Sequence, residues 1–226
     1  MSLKLYYHPL SSFCQKALIA LYENGTGFEP IFVDLSDEKS SAMLRSLWPI
    51  GKFPVMSDEG RGHTIAEATV IIEYLDARYP GATKFIPADP ELAWQTRMWD
   101  RFYDLYVNVS LQKIVVDRLR PPDARDPFGV EQAKKTLKTA YGMIERELAG
   151  RTWAVGDEYS LADCAASPAL FYANTAMPFD PAQRNLAAYL DRLMARPSYA
   201  RALKEAEPYF AMFPMERKPQ LRAEKQ

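Results

Sequence analysis

The chain has 226 residues, 48% of them apolar, with a formal net charge of -1. That is enough to fill two modest cores, and it leaves no basic excess to neutralise a phosphate backbone or an anionic bilayer, so neither nucleic acid nor membrane is expected as a partner. Its two cysteines, Cys14 and Cys164, cannot build a disulfide framework and suit a reducing compartment, so a cytoplasmic location is expected.

The segment Met1-Ser2-Leu3-Lys4-Leu5-Tyr6-Tyr7 alternates apolar and polar residues, as a strand does and a signal peptide does not. Helical periodicity follows over Ser11 to Tyr22, with Ala17, Leu18, Leu21 and Tyr22 at core spacing, and Phe28 to Leu35 reads as a second strand. A short helix is expected over Ser40 to Trp48, stopped by Pro49. Phe53-Pro54-Val55-Met56 and Gly62-His63-Thr64 then flank an Asp58-Glu59-Gly60 turn, which predicts a hairpin. The next helix is expected over Ile65 to Arg78, opened by a capping box of Thr64 with Glu67 and closed at Pro80-Gly81.

The first 81 residues thus read βαβαββα. Pro87 and Pro90 mark residues 82–90 as a linker. Beyond it the pattern is helical, with helices expected over about 89–119, 128–149, 161–174, 182–195 and 197–206, so residues 91–215 form an all-helical C-terminal domain. The tail, 216–226, is charged and aperiodic, and a flexible or loosely docked segment is expected there.

This order of elements resembles the glutathione transferase superfamily over nearly all of the chain, and four motifs carry the resemblance. Leu3-Lys4-Leu5-Tyr6-Tyr7-His8-Pro9-Leu10-Ser11-Ser12 leads from a strand onto a helix and is similar to the serine-using theta, phi and zeta classes, the zeta class having a Ser-Ser pair followed by a basic residue, here Lys16. Pro49-Ile50-Gly51-Lys52-Phe53-Pro54 resembles the family's asparagine-proline-x-glycine-glutamine-valine-proline segment, with Trp48 and Lys52 as departures. Thr64-Ile65-Ala66-Glu67-Ala68-Thr69-Val70-Ile71-Ile72-Glu73-Tyr74-Leu75 resembles the helix whose family motif has serine where this chain has Ala68. Gly156-Asp157-Glu158-Tyr159-Ser160-Leu161-Ala162-Asp163 matches the family's glycine-x-x-x-serine-x-alanine-aspartate element.

The resemblance implies an α/β thioredoxin-like N-terminal domain followed by an α-helical bundle, in a homodimeric transferase that uses glutathione as co-substrate against a hydrophobic electrophile, a detoxification chemistry. It puts Ser11 and Ser12 at the catalytic position. A free thiol has a pKa near 8.5, and a hydroxyl donating to the sulfur at a helix N-terminus favours the thiolate. The same serines suit an N-cap, and the two roles are compatible. Lys52, Phe53, Pro54, Glu67 and Ala68 are the implied glutathione-binding residues. Pro54 would follow a cis bond, leaving the Phe53 backbone to pair with the cysteinyl unit like an added strand. Lys52 would meet the glycyl carboxylate or else be a solvated surface lysine, and Glu67 would meet the γ-glutamyl ammonium or else serve only the capping box.

Leu10, Phe13, Tyr103 and Tyr106 are expected in the pocket for the hydrophobic substrate. Ser160 and Asp163 read as a structural capping pair. Cys14, with Ser11, occupies the window of a Cys-x-x-Cys motif and reads as a packed hydrophobe, the alternative being a mixed disulfide with glutathione. A metal site is not expected, because His8 and His63 are isolated. A non-catalytic ligand-binding or scaffolding protein, or a glutathione-dependent isomerase or reductase, are the alternatives to transfer. Phe13, where the isomerases carry cysteine, argues against the isomerase.

Overall fold

The computed structural model describes residues 2–221. Its N-terminal half holds β1 (Leu3–Tyr7), β2 (Glu29–Phe32), β3 (Val55–Asp58) and β4 (His63–Ala66) in one sheet of order β2-β1-β3-β4. β1 pairs parallel with β2 and antiparallel with β3, and β3 pairs antiparallel with β4. Two helices connect the strands, α1 (Ser12–Glu23) and α2 (Glu38–Leu47), and a third, α3 (Ala68–Arg78), follows β4. The second half is helical, with α4 (Pro90–Phe102), a π turn (Tyr103–Asn108), α5 (Val109–Asp117), α6 (Pro127–Glu147), α7 (Leu161–Ala176), α8 (Arg184–Ala195) and α9 (Pro197–Ala206). The chain therefore has the mixed-sheet thioredoxin-like domain plus helical domain that the sequence predicts.

Alternation in β1 sends Leu3 and Leu5 inward against α1 and α3. α1 is the pivot of the molecule. Every residue from Cys14 to Leu21 is buried, as befits a helix packed against α3 of its own half and against α7 and α9 of the other. One hydrophobic core consequently runs from Leu3 through Ile71, Trp99, Leu170 and Tyr199 to Phe213, crossing from one half to the other. Phe85, in the proline-rich segment between α3 and α4, is fully buried, and its carbonyl accepts from the Leu161 N–H at 2.9 Å.

Two expected elements differ. The helix expected to open at Thr64 opens at Ala68, because hairpin pairing extends through Ser57↔Thr64, Met56↔Ile65 and Val55↔Ala66. Thr64 therefore lies in a strand, and the Thr64–Glu67 capping box does not form. The helix expected over 89–119 is broken by the π turn into α4 and α5. Such a turn closes i→i+5 hydrogen bonds, so it inserts about one extra residue and rotates every face beyond it.

Ser160 and Asp163 form the expected cap. Asp163, fully buried at the start of α7, accepts from the Ser160 N–H (2.9 Å) and Oγ–H (3.1 Å), from the Ala154 N–H (2.9 Å) and from the Tyr189 hydroxyl (2.6 Å). One carboxylate thus ties together the α7 N-terminus, the loop before it and α8. Of the tail, Pro219 is buried, Lys218 Nζ donates to the Phe213 carbonyl at 2.6 Å and Leu221 packs on the core; residues 222–226 lie outside the described residues.

Candidate functional site

The register of three strands gathers the site. Tyr6 pairs with Val55, and Val55 with Ala66, so the chain leaving β1, entering β3 and leaving β4 does so at one end of the sheet, with neighbouring strands about 4.8 Å apart. Immediately beyond those three residues stand the Pro9-Leu10-Ser11 loop, the Phe53–Pro54 pair and the Glu67–Ala68 corner. The first loop is a tight turn with Pro9 at its second position, closed by the Ser11 N–H donating to the His8 carbonyl at 3.0 Å. His8 Nδ1 also accepts from the Leu10 N–H at 3.2 Å.

Ser11 is the N-cap of α1, its Oγ accepting from the Cys14 N–H at 3.3 Å. That bond uses an oxygen lone pair and does not consume the hydroxyl proton, so capping does not compete with donation to a ligand. Ser12 differs: its hydroxyl donates to Asn108 Oδ1 at 3.0 Å, joining the first turn of α1 to the end of the π turn. Cys14 is fully buried, and burial pushes its thiol up to about 12 although the neighbouring Ser11 hydroxyl pulls the other way. Its burial favours the packed-hydrophobe reading of Cys14 over a mixed disulfide with glutathione.

The Phe53–Pro54 bond is cis. Among the described residues no hydrogen bond within the chain engages the Phe53 N–H or C=O. Lys52 beside it is exposed. Glu67 has φ 69° and ψ 119°, a conformation that costs a non-glycine residue of order 1–3 kcal/mol and concentrates at functional sites. This corner turns the chain from β4 directly into α3, and the Glu67 side chain makes no capping bond, so the first N–H groups of α3 stay open. Ala68 is buried at that terminus.

Behind the corner lies a cluster that the sequence does not announce. Lys16, on α1, is buried and contacts Asp100 Oδ1 (2.6 Å), Asp104 Oδ2 (2.7 Å) and Thr69 Oγ1 (2.8 Å). Arg101, half-exposed, donates to Asp100 Oδ2 (2.8 Å), Asp104 Oδ2 (2.6 Å) and Thr69. In the sequence Lys16 is only a motif residue; its carboxylate partners come from the other half of the chain. Gln15 is similarly buried, donating to the Pro9 carbonyl (2.8 Å) and the Tyr172 hydroxyl (2.7 Å), which fixes the loop before Ser11 from α7.

Next to Ser11 opens a cavity of about 280 Å³, lined by Leu10, Ser11 and Ser12 from the N-terminal half and by Asn108, Leu111, Val115, Val116, Leu119, Tyr172, Met212 and Phe213 from the helical half. Leu10 is among the lining residues. Phe13, Tyr103 and Tyr106 are not among the lining residues. Tyr103 is 1% exposed, in the core beside Trp99 and Phe102. Tyr106 lines a separate groove of about 470 Å³ with Phe102, Lys135 and Met143, to which the N-terminal half contributes nothing. The π turn lies between Tyr103 and α5, and the residues beyond it, Asn108, Leu111, Val115, Val116 and Leu119, line the cavity beside Ser11. Asn108, between Val107 and Val109, was an available signal, since asparagine is a poor helix-interior residue.

Among the described residues no group of His, Cys, Asp and Glu could hold a metal ion, and no helix is long and apolar enough to cross a membrane.

Comparison with known proteins gives the same picture. Residues 5–83 match the family model of the glutathione S-transferase N-terminal domain, and residues 110–197 that of the C-terminal domain. Protein LigF of Sphingobium sp. strain SYK-6, a beta-etherase, is 27% identical, the alignment covering 88% of this chain and 91% of LigF. Glutathione S-transferase 3 of Zea mays is 29% identical over 89% of this chain and 93% of its own. Among solved structures, a glutathione S-transferase from Methylobacillus flagellatus with glutathione bound is 26% identical, with a TM-score of 0.81 over 89% of this chain and 98% of that one. With both of the family's domain models matched in order, the chain belongs to the glutathione S-transferase family.

Proposed function

We propose that the protein is an active glutathione S-transferase, and that the observation carrying this reading is the convergence of Ser11, Phe53 and the α3 N-terminus at one sheet end beside an apolar cavity. Residues 1–81 would bind glutathione, residues 91–215 would supply most of the electrophile's pocket, and 82–90 would link them. The Phe53 N–H and C=O would pair with the cysteinyl backbone as an added strand does. The open N–H groups of α3 suit the γ-glutamyl carboxylate, Glu67 its ammonium, and Lys52 the glycyl carboxylate as a point charge. Ser11 would then donate to the sulfur, and the helix dipole of α1 would add to the preference for thiolate.

The thiolate would attack a hydrophobic electrophile held against Leu10, Leu111 and Val115, with positioning and thiolate stabilisation as the sources of rate. A homodimer fits the exposed apolar residues Val70, Trp94, Met98 and Leu105 on α3, α4 and the π turn. The free, buried cysteines fit a cytoplasmic location.

Calorimetric titration of glutathione into the wild type and Glu67→Gln tests the reading. Binding by the wild type and a roughly 10-fold loss in the variant are expected; a wild type that does not bind glutathione contradicts it. A second reading, a glutathione-binding protein without turnover, is favoured by Ala68, which removes a hydroxyl from the α3 N-terminus.

A further inference from the structure

His8 holds both ends of the loop that delivers Ser11. Its carbonyl accepts from the Ser11 N–H at 3.0 Å and its ring Nδ1 from the Leu10 N–H at 3.2 Å. Pro9, between them, has no N–H to fix. Among the described residues the Leu10 N–H has no other partner within the chain. The ring meets three further elements: Phe32 at the end of β2 (centroids 5.1 Å apart), Phe53 (6.2 Å), and Tyr209 in the short 3-10 helix Glu207–Met212 (5.0 Å). Those contacts set the plane of the imidazole, and the Leu10 bond sets which edge faces the loop.

From this geometry we infer that His8 is a positioning residue for Ser11: its neutral imidazole accepts from Leu10 and so holds the turn in the arrangement in which the Ser11 hydroxyl meets the glutathione sulfur. The inference rests on the glutathione reading. An imidazole that accepts at Nδ1 carries its proton on Nε2. Protonation would put a second N–H at Nδ1, donor against donor with Leu10, and release the loop. Asp34 and Tyr209 are the titratable groups that face the ring. Burial holds the imidazole below its ordinary pKa against the pull of Asp34, which keeps the accepting form in place at neutral pH. In this role His8 takes no proton from the thiol and acts only through the loop.

Ultraviolet absorbance of bound thiolate against pH, at saturating glutathione, tests this on the wild type, His8→Phe, His8→Asn, Ser11→Ala and the double variant Ser11→Ala/His8→Phe. His8→Phe keeps a ring for Phe32, Phe53 and Tyr209 and removes the acceptor. His8→Asn keeps an acceptor that reaches the amide two residues on, and it does not titrate. His8→Phe is expected to raise the thiol midpoint by about one unit, and His8→Asn to stay within about 0.3 unit of the wild type. In the Ser11→Ala background, adding His8→Phe should shift nothing further, since the two act by one route. An unmoved midpoint in His8→Phe would overturn the inference, as would a further shift in the double variant. An equal shift in His8→Asn would overturn it too, because the charge of the ring and not its acceptor would then be at work. Nitrogen-15 NMR of the wild type, which has two histidines, needs no variant: the Nε2–H tautomer is expected for His8, and the Nδ1–H tautomer would reject the inference. Depressed thiolate ionisation in the wild type with an unmoved His8→Phe rejects His8 alone, whereas no glutathione bound by the wild type rejects the transferase reading and this inference with it.

Discussion

Lys16 Nζ lies 2.6 Å from Asp100 Oδ1, an ion pair in which both side chains are 1% exposed and which joins α1 to α4 across the two halves of the chain. Asp104 and Thr69 complete the ammonium's shell. A buried charge is tolerated only when its partners are in place, and removing one leaves the others uncompensated. Lys16→Met is therefore expected to lower stability by about 3–5 kcal/mol in urea unfolding. A loss under about 1 kcal/mol would mean that Arg101 alone satisfies the two aspartates.

Ala68 predicts a gain. Substituting Ala68→Ser restores a hydroxyl at the open N-terminus of α3, where one more hydrogen bond to glutathione is worth roughly 0.5–1.5 kcal/mol. Calorimetry should show glutathione binding tightened by about 2- to 10-fold. Unchanged affinity would place the γ-glutamyl group elsewhere.

Asp163 carries four donors into the centre of the helical half. Asp163→Ala strips the acceptor from buried Ser160, Ala154 and Tyr189 groups, so a loss of about 3–5 kcal/mol is expected by chemical denaturation. Glutathione affinity measured on the folded fraction should be unaltered. A variant that unfolds normally but no longer binds glutathione would give Asp163 a role the cap does not explain.

The acid limb of stability should depend on Asp58. Burial raises its carboxyl pKa, but the hydroxyls of Tyr79 (2.5 Å) and Tyr74 (2.8 Å) and the neighbouring Arg61 more than offset this and hold it below the usual carboxylate range. A lowered folded pKa contributes stability that is complete above the unfolded value, about 3.9, and is lost as pH falls through the folded value. Asp58→Asn should be less stable than the wild type at neutral pH and show a shallower decline below about pH 4 in thermal melts. Parallel pH curves for the two proteins would remove Asp58 from the account.

Strand pairing was legible because alternation in Leu3 to Tyr7 and the Asp58-Glu59-Gly60 turn are local signals, and they brought Ser11, Phe53 and Glu67 to one sheet end. The start of α3 was not legible. Thr64 with Glu67 satisfies a helix rule, and only the cross-strand pairing of Ser57 with Thr64 overrides it. The cavity beside Ser11 was half legible. Leu10 follows from its place beside Ser11, but the opposite wall depends on the π turn, which rotates Tyr103 into the core and Asn108 into the cavity and has no signature in the aromatic spacing. Lys16 shows the same limit from the side of charge, since Asp100 and Asp104 reach it only through the packing of α4 on α1.

Stabilisation of the glutathione thiolate by Ser11 is tested most directly by following the ultraviolet absorbance of protein-bound glutathione against pH in the wild type and Ser11→Ala. In the wild type the bound thiol should ionise below its free value of about 8.5. Ser11→Ala should still bind glutathione, with the midpoint moved back toward that value, each unit corresponding to about 1.4 kcal/mol. The same depressed midpoint in both proteins would contradict the claim and leave Ser11 as the cap of α1.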